Sequence, residues 1–158
     1  MSSDLSDLVS PDLVAVGLSA ATRKALFQQL GALAAAAAGP GVDARTIGDL
    51  LTAREKLGST GFGGGIALPH ARVPGLTRIV GLVARLAHPI DFGAVDDQPV
   101  DIVAVLLSPP GAGAAHLKAL ARVARRFRDR GFIAKLRGAG SRDAIYALLT
   151  ADETRDAA

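Results

Sequence analysis

Apolar positions fall into two kinds of block along this chain: short runs that suit strands, and longer stretches in which they return every three or four residues. Asp12 to Val16 reads as a short strand. Ser19 then caps a predicted helix in which Leu26, Leu30, Leu33 and Ala37 recur at helical spacing until Gly39-Pro40-Gly41 stops it. Asp43 is placed to cap a second helix, with Ile47, Leu50, Leu51 and Arg54 on adjoining turns and Gly58 at its end. Ile66 to Leu68 predicts a short strand and Arg78 to Leu86 a longer one. Val100 to Leu107 is a nearly unbroken apolar run, which marks a strand buried on both faces and so central in its sheet. Beyond Pro109-Pro110-Gly111, Leu117, Leu120, Ala121 and Ala124 form the expected buried stripe of a helix whose Lys118, Arg122, Arg125 and Arg126 face water. A last helix starts near Ser141 and presents Ile145, Leu148 and Leu149 inward, leaving residues 151–158 as a frayed tail. Helices before, between and after a few unevenly spaced strands predict an α/β layered fold, without a regular βαβ repeat.

Length and composition narrow this picture. With 158 residues, 49% of them apolar, the chain is expected to form one domain over 1–158, its core spanning about 8–150. The absence of cysteine excludes thiol catalysis, cysteine-based zinc sites and disulfides together. Met1 to Ser10 carries Asp4 and Asp7 but no basic residue and no long apolar run, so it does not read as a signal peptide. Leu30 to Ala38 is mostly alanine and far short of the ~20 residues that span a bilayer. A cytoplasmic chain without direct membrane insertion is the expectation. The net charge of +3 is concentrated in Arg122, Arg125, Arg126, Arg128, Arg130, Lys135 and Arg137. Aromatics are only 4%, and no helix-turn-helix, RNA-recognition or zinc-finger signature is present. The basic stretch therefore reads as a solvated face and not as a nucleic-acid surface.

The most informative segment runs from Arg54 through Gly58-Ser59-Thr60-Gly61-Phe62-Gly63-Gly64-Gly65 to Leu68-Pro69-His70. Pro69 fixes its own φ and biases Leu68 toward extended geometry, so the direction in which His70 leaves the predicted strand is constrained. The glycines, with Ser59 and Thr60, are of the kind that turn several backbone N–H groups toward one anion. A Walker loop is excluded because no Lys lies between Gly58 and His70. The dinucleotide motif fails because Ile66 stands where its third glycine belongs. Histidine suits phosphoryl carriage, since neutral imidazole is a nucleophile near pH 7 and its phosphoramidate stays reactive. Arg54 supplies a candidate fork for phosphate oxygens, Ser59 and Thr60 candidate hydroxyl donors, and His116 a candidate second imidazole if the fold brings it near.

Plainer readings stand beside these. Taken alone, His70 is more readily a surface-loop histidine; Arg54 is equally well a partner of its helix dipole, and turn formation at Ser59 and Thr60 and a helix start at His116 are open alternatives. His88 is left as structural. No histidine pair has the spacing of a metal motif, so a metal site from His70, His88 and His116 with Asp91 or Asp101 is disfavoured. Asp91 and Asp96-Asp97 look like loop acids and make a poor glycosidase pair.

In combination, Arg54-Glu55, Ser59-Thr60-Gly61, Gly65-Ile66-Ala67-Leu68-Pro69-His70 and His116-Leu117 resemble the type-2 IIA domain of the bacterial phosphotransferase system (PTS). Pro89-Ile90-Asp91-Phe92-Gly93-Ala94-Val95-Asp96, Gln98-Pro99-Val100-Asp101 and Leu106-Leu107-Ser108-Pro109 extend the likeness over roughly residues 8–150, nearest the nitrogen-regulatory branch. The resemblance implies a mixed sheet sandwiched between helices in three layers, the mannitol-type IIA fold. It implies a phosphoacceptor at His70 with Arg54 and His116 in support. It implies further that a small phosphocarrier protein, charged from phosphoenolpyruvate by enzyme I, delivers the group in line, with no nucleotide, cofactor or metal. With no IIB, IIC or phosphocarrier domain in this sequence, regulation of a transporter or sensor kinase is expected ahead of transfer to a IIB domain in sugar uptake. A binding module with an idle His70 is the alternative of another class. Gly64 departs from the family's usual Asn, and Phe62 and Leu68 from its usual Ile.

Overall fold

The computed structural model describes residues 4–151, so the expected tail beyond 151 lies outside the described residues. After a single 3-10 turn at Pro11–Leu13, strand β1 covers Val14–Leu18. Helix α1, Arg23–Ala38, is capped by Thr22, whose Oγ1 accepts from Ala25 N at 3.1 Å. The expected cap, Ser19, comes too early because Leu18 is still in the strand, and its carbonyl instead accepts from Gln29 Nε2. Helix α2, Ala44–Lys56, has the expected cap: the Asp43 carboxylate accepts from Thr46 N and Oγ1. Where α1 crosses α2, a Cβ on Gly31 would collide with the Ala44 carbonyl, so this approach requires glycine.

The strands that follow are β2 (Gly61–Gly63), β3 (Ile66–Ala67), β4 (His70–Arg72), β5 (Val80–Ile90) and β6 (Val100–Ser108). The sheet order is β1-β5-β6-β3-β2, with β4 also on β6, which makes β5 and β6 central as the apolar runs predict. It is mixed: β5 and β6 are antiparallel, β1 runs parallel to β5, and β3 and β4 run parallel to β6. Ile102 through Leu107 are all buried, as expected of a strand covered on both faces. The short β2 and β4 escape sequence detection because glycine dominates one and three residues is too few to show alternation in the other.

Helix α3, Ala114–Phe127, buries His116, Ala119, Val123, Arg126 and Phe127. The expected stripe is thus rotated by about one position, and Leu117 is 64% exposed. Turning the helix this way buries Val123 and Phe127, which carry more apolar surface than the alanines at 121 and 124. Arg126, expected in water, is only 6% exposed, and its guanidinium lies 3.9 Å from the Phe132 ring centroid. The basic stretch is split, because Asp129 caps a separate helix α4, Arg130–Gly138, by accepting from Gly131 N and Phe132 N. Arg85 of β5 reaches across to the end of α4 and donates to the carbonyls of Leu136 and Ala139. Helix α5, Arg142–Thr150, starts where expected, with Ser141 as its cap, and buries Ile145 and Leu149. Five helices flank the mixed sheet in the expected three-layer arrangement, around one hydrophobic cluster that reaches from Leu5 to Leu149.

Candidate functional site

β3 and β4 lie in tandem on one edge of β6: Ile66 and Ala67 pair with Ile102 and Val103, then His70 to Arg72 with Leu106 to Ser108. Between them Pro69 interrupts the strand, having no N–H to give, while its carbonyl accepts from Leu106 N at 3.0 Å. His70 therefore leaves a fixed backbone. Its Nδ1 lies 2.9 Å from the Leu68 carbonyl. A carbonyl only accepts, so Nδ1 carries the ring proton and the lone pair resides on Nε2.

His116, the third residue of α3, brings its ring to 5.8 Å from that of His70, centroid to centroid, at 51°. It is buried, with Nδ1 2.6 Å from Ser108 Oγ at the end of β6. Its pKa is held below the usual histidine range, first by burial and then by its electrostatic interaction with Arg72 and with the neighbouring His70 ring. His116 is thus neutral at pH 7.

A cavity of about 460 Å³ opens over the two rings, walled by Leu50, Arg54 and Leu57 on one side and Arg72 on the other. Arg54 comes from the last turn of α2 and anchors one nitrogen on the Gly58 carbonyl at 2.8 Å. Arg72 was missed in the sequence, although it stands two residues after His70 and so shares its face of β4. The signal was available only once His70 was known to start a strand. Among the described residues no carboxylate lines the cavity. Two guanidiniums, a free imidazole nitrogen and a neutral second imidazole suit it to a group bearing several negative oxygens.

Ser59 and Thr60 are placed differently from the expectation. Ser59 Oγ donates toward Glu55 Oε1 at 3.0 Å and the Phe92 carbonyl at 2.8 Å, and Thr60 Oγ1 donates to Glu55 Oε2 at 2.7 Å. Glu55, only 6% exposed, also accepts from Thr60 N and faces Arg23 Nη1 at 3.4 Å. A buried carboxylate must be satisfied by nearby donors, and these two hydroxyls do it. They hold the turn after α2 and stay out of the cavity wall. The glycines do not surround His70 either: Gly64 N donates to Asp96, and Gly65 lies under the Arg137–Asp101 ion pair. His88 is exposed on β5, and no cluster of three or more histidine or acidic residues among the described residues suits a metal ion.

The sequence profile described as "Phosphoenolpyruvate-dependent sugar phosphotransferase system, EIIA 2" matches residues 7–152. A nitrogen regulatory protein of Bradyrhizobium diazoefficiens is 47% identical over 145 residues, covering 92% of this chain and 94% of that protein. The crystal structure of the nitrogen regulatory protein IIA-Ntr from Neisseria meningitidis superposes with a TM-score of 0.84 at 30% identity, covering 91% of this chain and 97% of that one. The mannitol IIA of Escherichia coli, 21% identical, shares the fold with a TM-score of 0.71 over 89% of this chain and 97% of its own. The chain belongs to the type-2 EIIA family of the phosphoenolpyruvate-dependent sugar phosphotransferase system, within its nitrogen-regulatory branch.

Proposed function

We propose that this chain is a cytoplasmic phosphoryl carrier that takes the group onto Nε2 of His70 from the phosphohistidine of a small phosphocarrier protein, and that its phosphorylation state regulates a nitrogen-related partner. The observation that carries the proposal is the tautomer of His70. With Nδ1–H given to Leu68, Nε2 offers its lone pair into a cavity that holds two arginines and, among the described residues, no acid. In the transfer, Nε2 attacks phosphorus in line, the donor's P–N bond breaks, and its electron pair returns to the donor imidazole. One phosphoramidate replaces another, so the exchange is close to balanced and needs neither nucleotide nor metal.

Arg54 and Arg72 offset the charge on the phosphoryl oxygens as the group moves. Ser108 Oγ lies 2.6 Å from Nδ1 of His116; in this reading the hydroxyl donates there, and His116 keeps an Nε2–H for a phosphoryl oxygen. Leu57, 85% exposed beside the cavity, and Leu117, 64% exposed next to His116, give the donor protein an apolar rim. Among the described residues no helix is long and apolar enough to cross a membrane. The regulated partner is a transporter or sensor kinase whose contact with this rim changes when the phosphoryl group adds about −1.5 to −2 charge.

The test is intact-protein mass after incubation with phosphoenolpyruvate, enzyme I and the phosphocarrier. Acid-labile addition of one phosphoryl group, lost in His70→Ala, is the expected result. Addition to His70→Ala would overturn the acceptor assignment. No addition to the wild type would leave the chain a binding module with an idle histidine. Onward transfer to a IIB domain would replace regulation by a sugar-uptake role.

A further inference from the structure

Two sequence features take no part in the His70 site: the glycine-rich stretch Gly61 to Gly65 and the arginines between α3 and α4. They meet at a second cavity. Phe62, Gly63, Gly64 and Ile66 wall one side of a space of about 600 Å³, and Phe127, Arg128, Arg130 and Ile133 wall the other. That volume falls within the roughly 300–1,000 Å³ of small-molecule pockets. Its base is apolar and its mouth is charged. Gly64, where the resemblance leads one to expect Asn, has open space around the position of a Cβ and leaves that mouth wide.

The charges decide what kind of ligand fits. Arg137 is neutralised, since its Nε and Nη2 both donate to the Asp101 carboxylate at 2.9 and 2.8 Å. Asp96 stays ionised, its carboxyl held below the usual range by the backbone N–H groups of Gly64 and Gln98. Arg128 and Arg130 form no ion pair with a described residue. Among the residues that line the cavity, two guanidiniums without an ion partner against one carboxylate leave a single net positive charge, which one anionic charge balances and two exceed, the Asp129 carboxylate between the arginines being turned to the N–H groups of Gly131 and Phe132. Helix stability does not account for Arg130, because a cation at the first residue of α4 opposes the helix dipole. The guanidinium of Arg128 lies 5.7 Å from the Phe62 ring centroid, which brings the cation beside the aromatic wall.

We propose that this cavity binds a small aryl carboxylate of single negative charge, its ring against Phe62, Ile66, Phe127 and Ile133 and its carboxylate between Arg128 and Arg130. Three probes of one ring size test this on the full chain by titration calorimetry: 2-naphthoate, the neutral 2-naphthol and the more highly charged 2-naphthyl phosphate. Saturable one-to-one binding of 2-naphthoate is expected, with the other two weaker by at least about tenfold. Arg128→Ala combined with Arg130→Ala, and separately Phe62→Ala, should each weaken 2-naphthoate by at least about tenfold, with the thermal midpoint of the arginine variant no lower than that of the wild type. His70→Ala should bind as the wild type does, so the outcome is independent of phosphoryl carriage. Absence of saturation at millimolar 2-naphthoate would overturn the proposal, as would equal binding of 2-naphthol or an unaffected arginine variant. Tighter binding of the phosphate would overturn the assignment to a monoanion.

Discussion

The carbonyl of Leu68 lies 2.9 Å from Nδ1 of His70, so the segment that delivers the histidine also selects its tautomer. The selection has a spectroscopic consequence. The phosphoryl group should reside on Nε2, and the Nδ1–H signal should persist, still hydrogen-bonded, in the phosphorylated protein. Nitrogen-15 spectra of ring-labelled histidine before and after phosphorylation read this directly. Coupling of phosphorus to Nδ1 would show that the bond to Leu68 breaks first and that the tautomer argument is wrong.

His116 should behave as a proton-coupled neighbour of that event. Its folded pKa lies below the usual 6.5, through burial first and then Arg72 and His70. Between that lowered value and 6.5 the unfolded chain binds more protons than the folded one, so stability rises with pH across this window and His116 adds no slope above it. His116→Gln should flatten that part of a urea-denaturation series. Phosphorylation of His70 places about −1.5 to −2 charge nearby and should move the His116 titration upward. Removal of the ring in His116→Ala should slow phosphoryl acceptance by about 10²-fold while leaving acceptance at His70, measured as the initial rate of mass gain. An unchanged rate would make His116 structural.

Thr60 and Ser59 should separate stability from chemistry. Thr60→Val removes a buried hydrogen bond to the Glu55 carboxylate and should cost about 1.5–3 kcal/mol. The thermal midpoint should fall by several degrees for a chain of this size. Phosphoryl acceptance per folded molecule should be unchanged, because this hydroxyl points at Glu55 and not into the cavity. A lost phosphoryl group with unchanged stability would restore the reading of Thr60 as a phosphate ligand.

What could be read in advance follows from the range of each interaction. Asp43 was legible as a cap, and the start of the last helix near Ser141 with it, because a cap bonds to an N–H three residues away. Val100 to Leu107 was legible as a central strand because burial on both faces leaves an apolar run. Arg54, His70 and His116 were legible through the family resemblance and share one cavity, although residues on α2, β4 and α3 show no common spacing in a sequence. Arg72 waited on knowing that His70 opens a strand. Glu55 was hidden because its partners span Arg23 to Thr60, and a buried carboxylate looks like any other helix acid until its donors are assembled. The break at Asp129 was hidden by the arginines on either side, which read as one continuous polar face.

Gly65 illustrates a glycine kept for close contact and not for anion binding. Its φ is 82°, and a Cβ there would meet Arg137 Nη2 and lie 2.8 Å from Asp101 Oδ1. Gly65→Ala must therefore strain the backbone and displace the ion pair that holds the end of α4 against the turn. A loss of about 2–3 kcal/mol is expected, combining the left-handed penalty with the displaced pair. Gly64→Ala, with open space around its Cβ and a φ of 68°, should show only the backbone part, about 1–2 kcal/mol. Equal losses in urea denaturation would mean that Arg137 moves aside at no cost.

The amino-terminal segment tests how far charge and burial differ in what they hold. Arg122 donates to both oxygens of Asp7 at 2.8 and 2.9 Å, which keeps the Asp7 carboxyl below its usual 3.8. A depressed carboxylate contributes stability that is complete above its unfolded value and is lost as pH falls through its folded one. Asp7 is 59% exposed on its side chain, so solvent screening limits the pair to about 0.2–1 kcal/mol. Asp7→Asn should therefore cost less than about 1 kcal/mol at pH 7, with the difference from wild type shrinking in high salt and below pH 4. Two residues earlier, Leu5 is 1% exposed and its N–H donates to Leu149. Leu5→Ala should cost about 2–5 kcal/mol at every pH and salt concentration, because an apolar cavity does not titrate and is not screened. If the two variants proved equally destabilised at pH 7, the segment would be held by its ion pair and the burial of Leu5 would count for little.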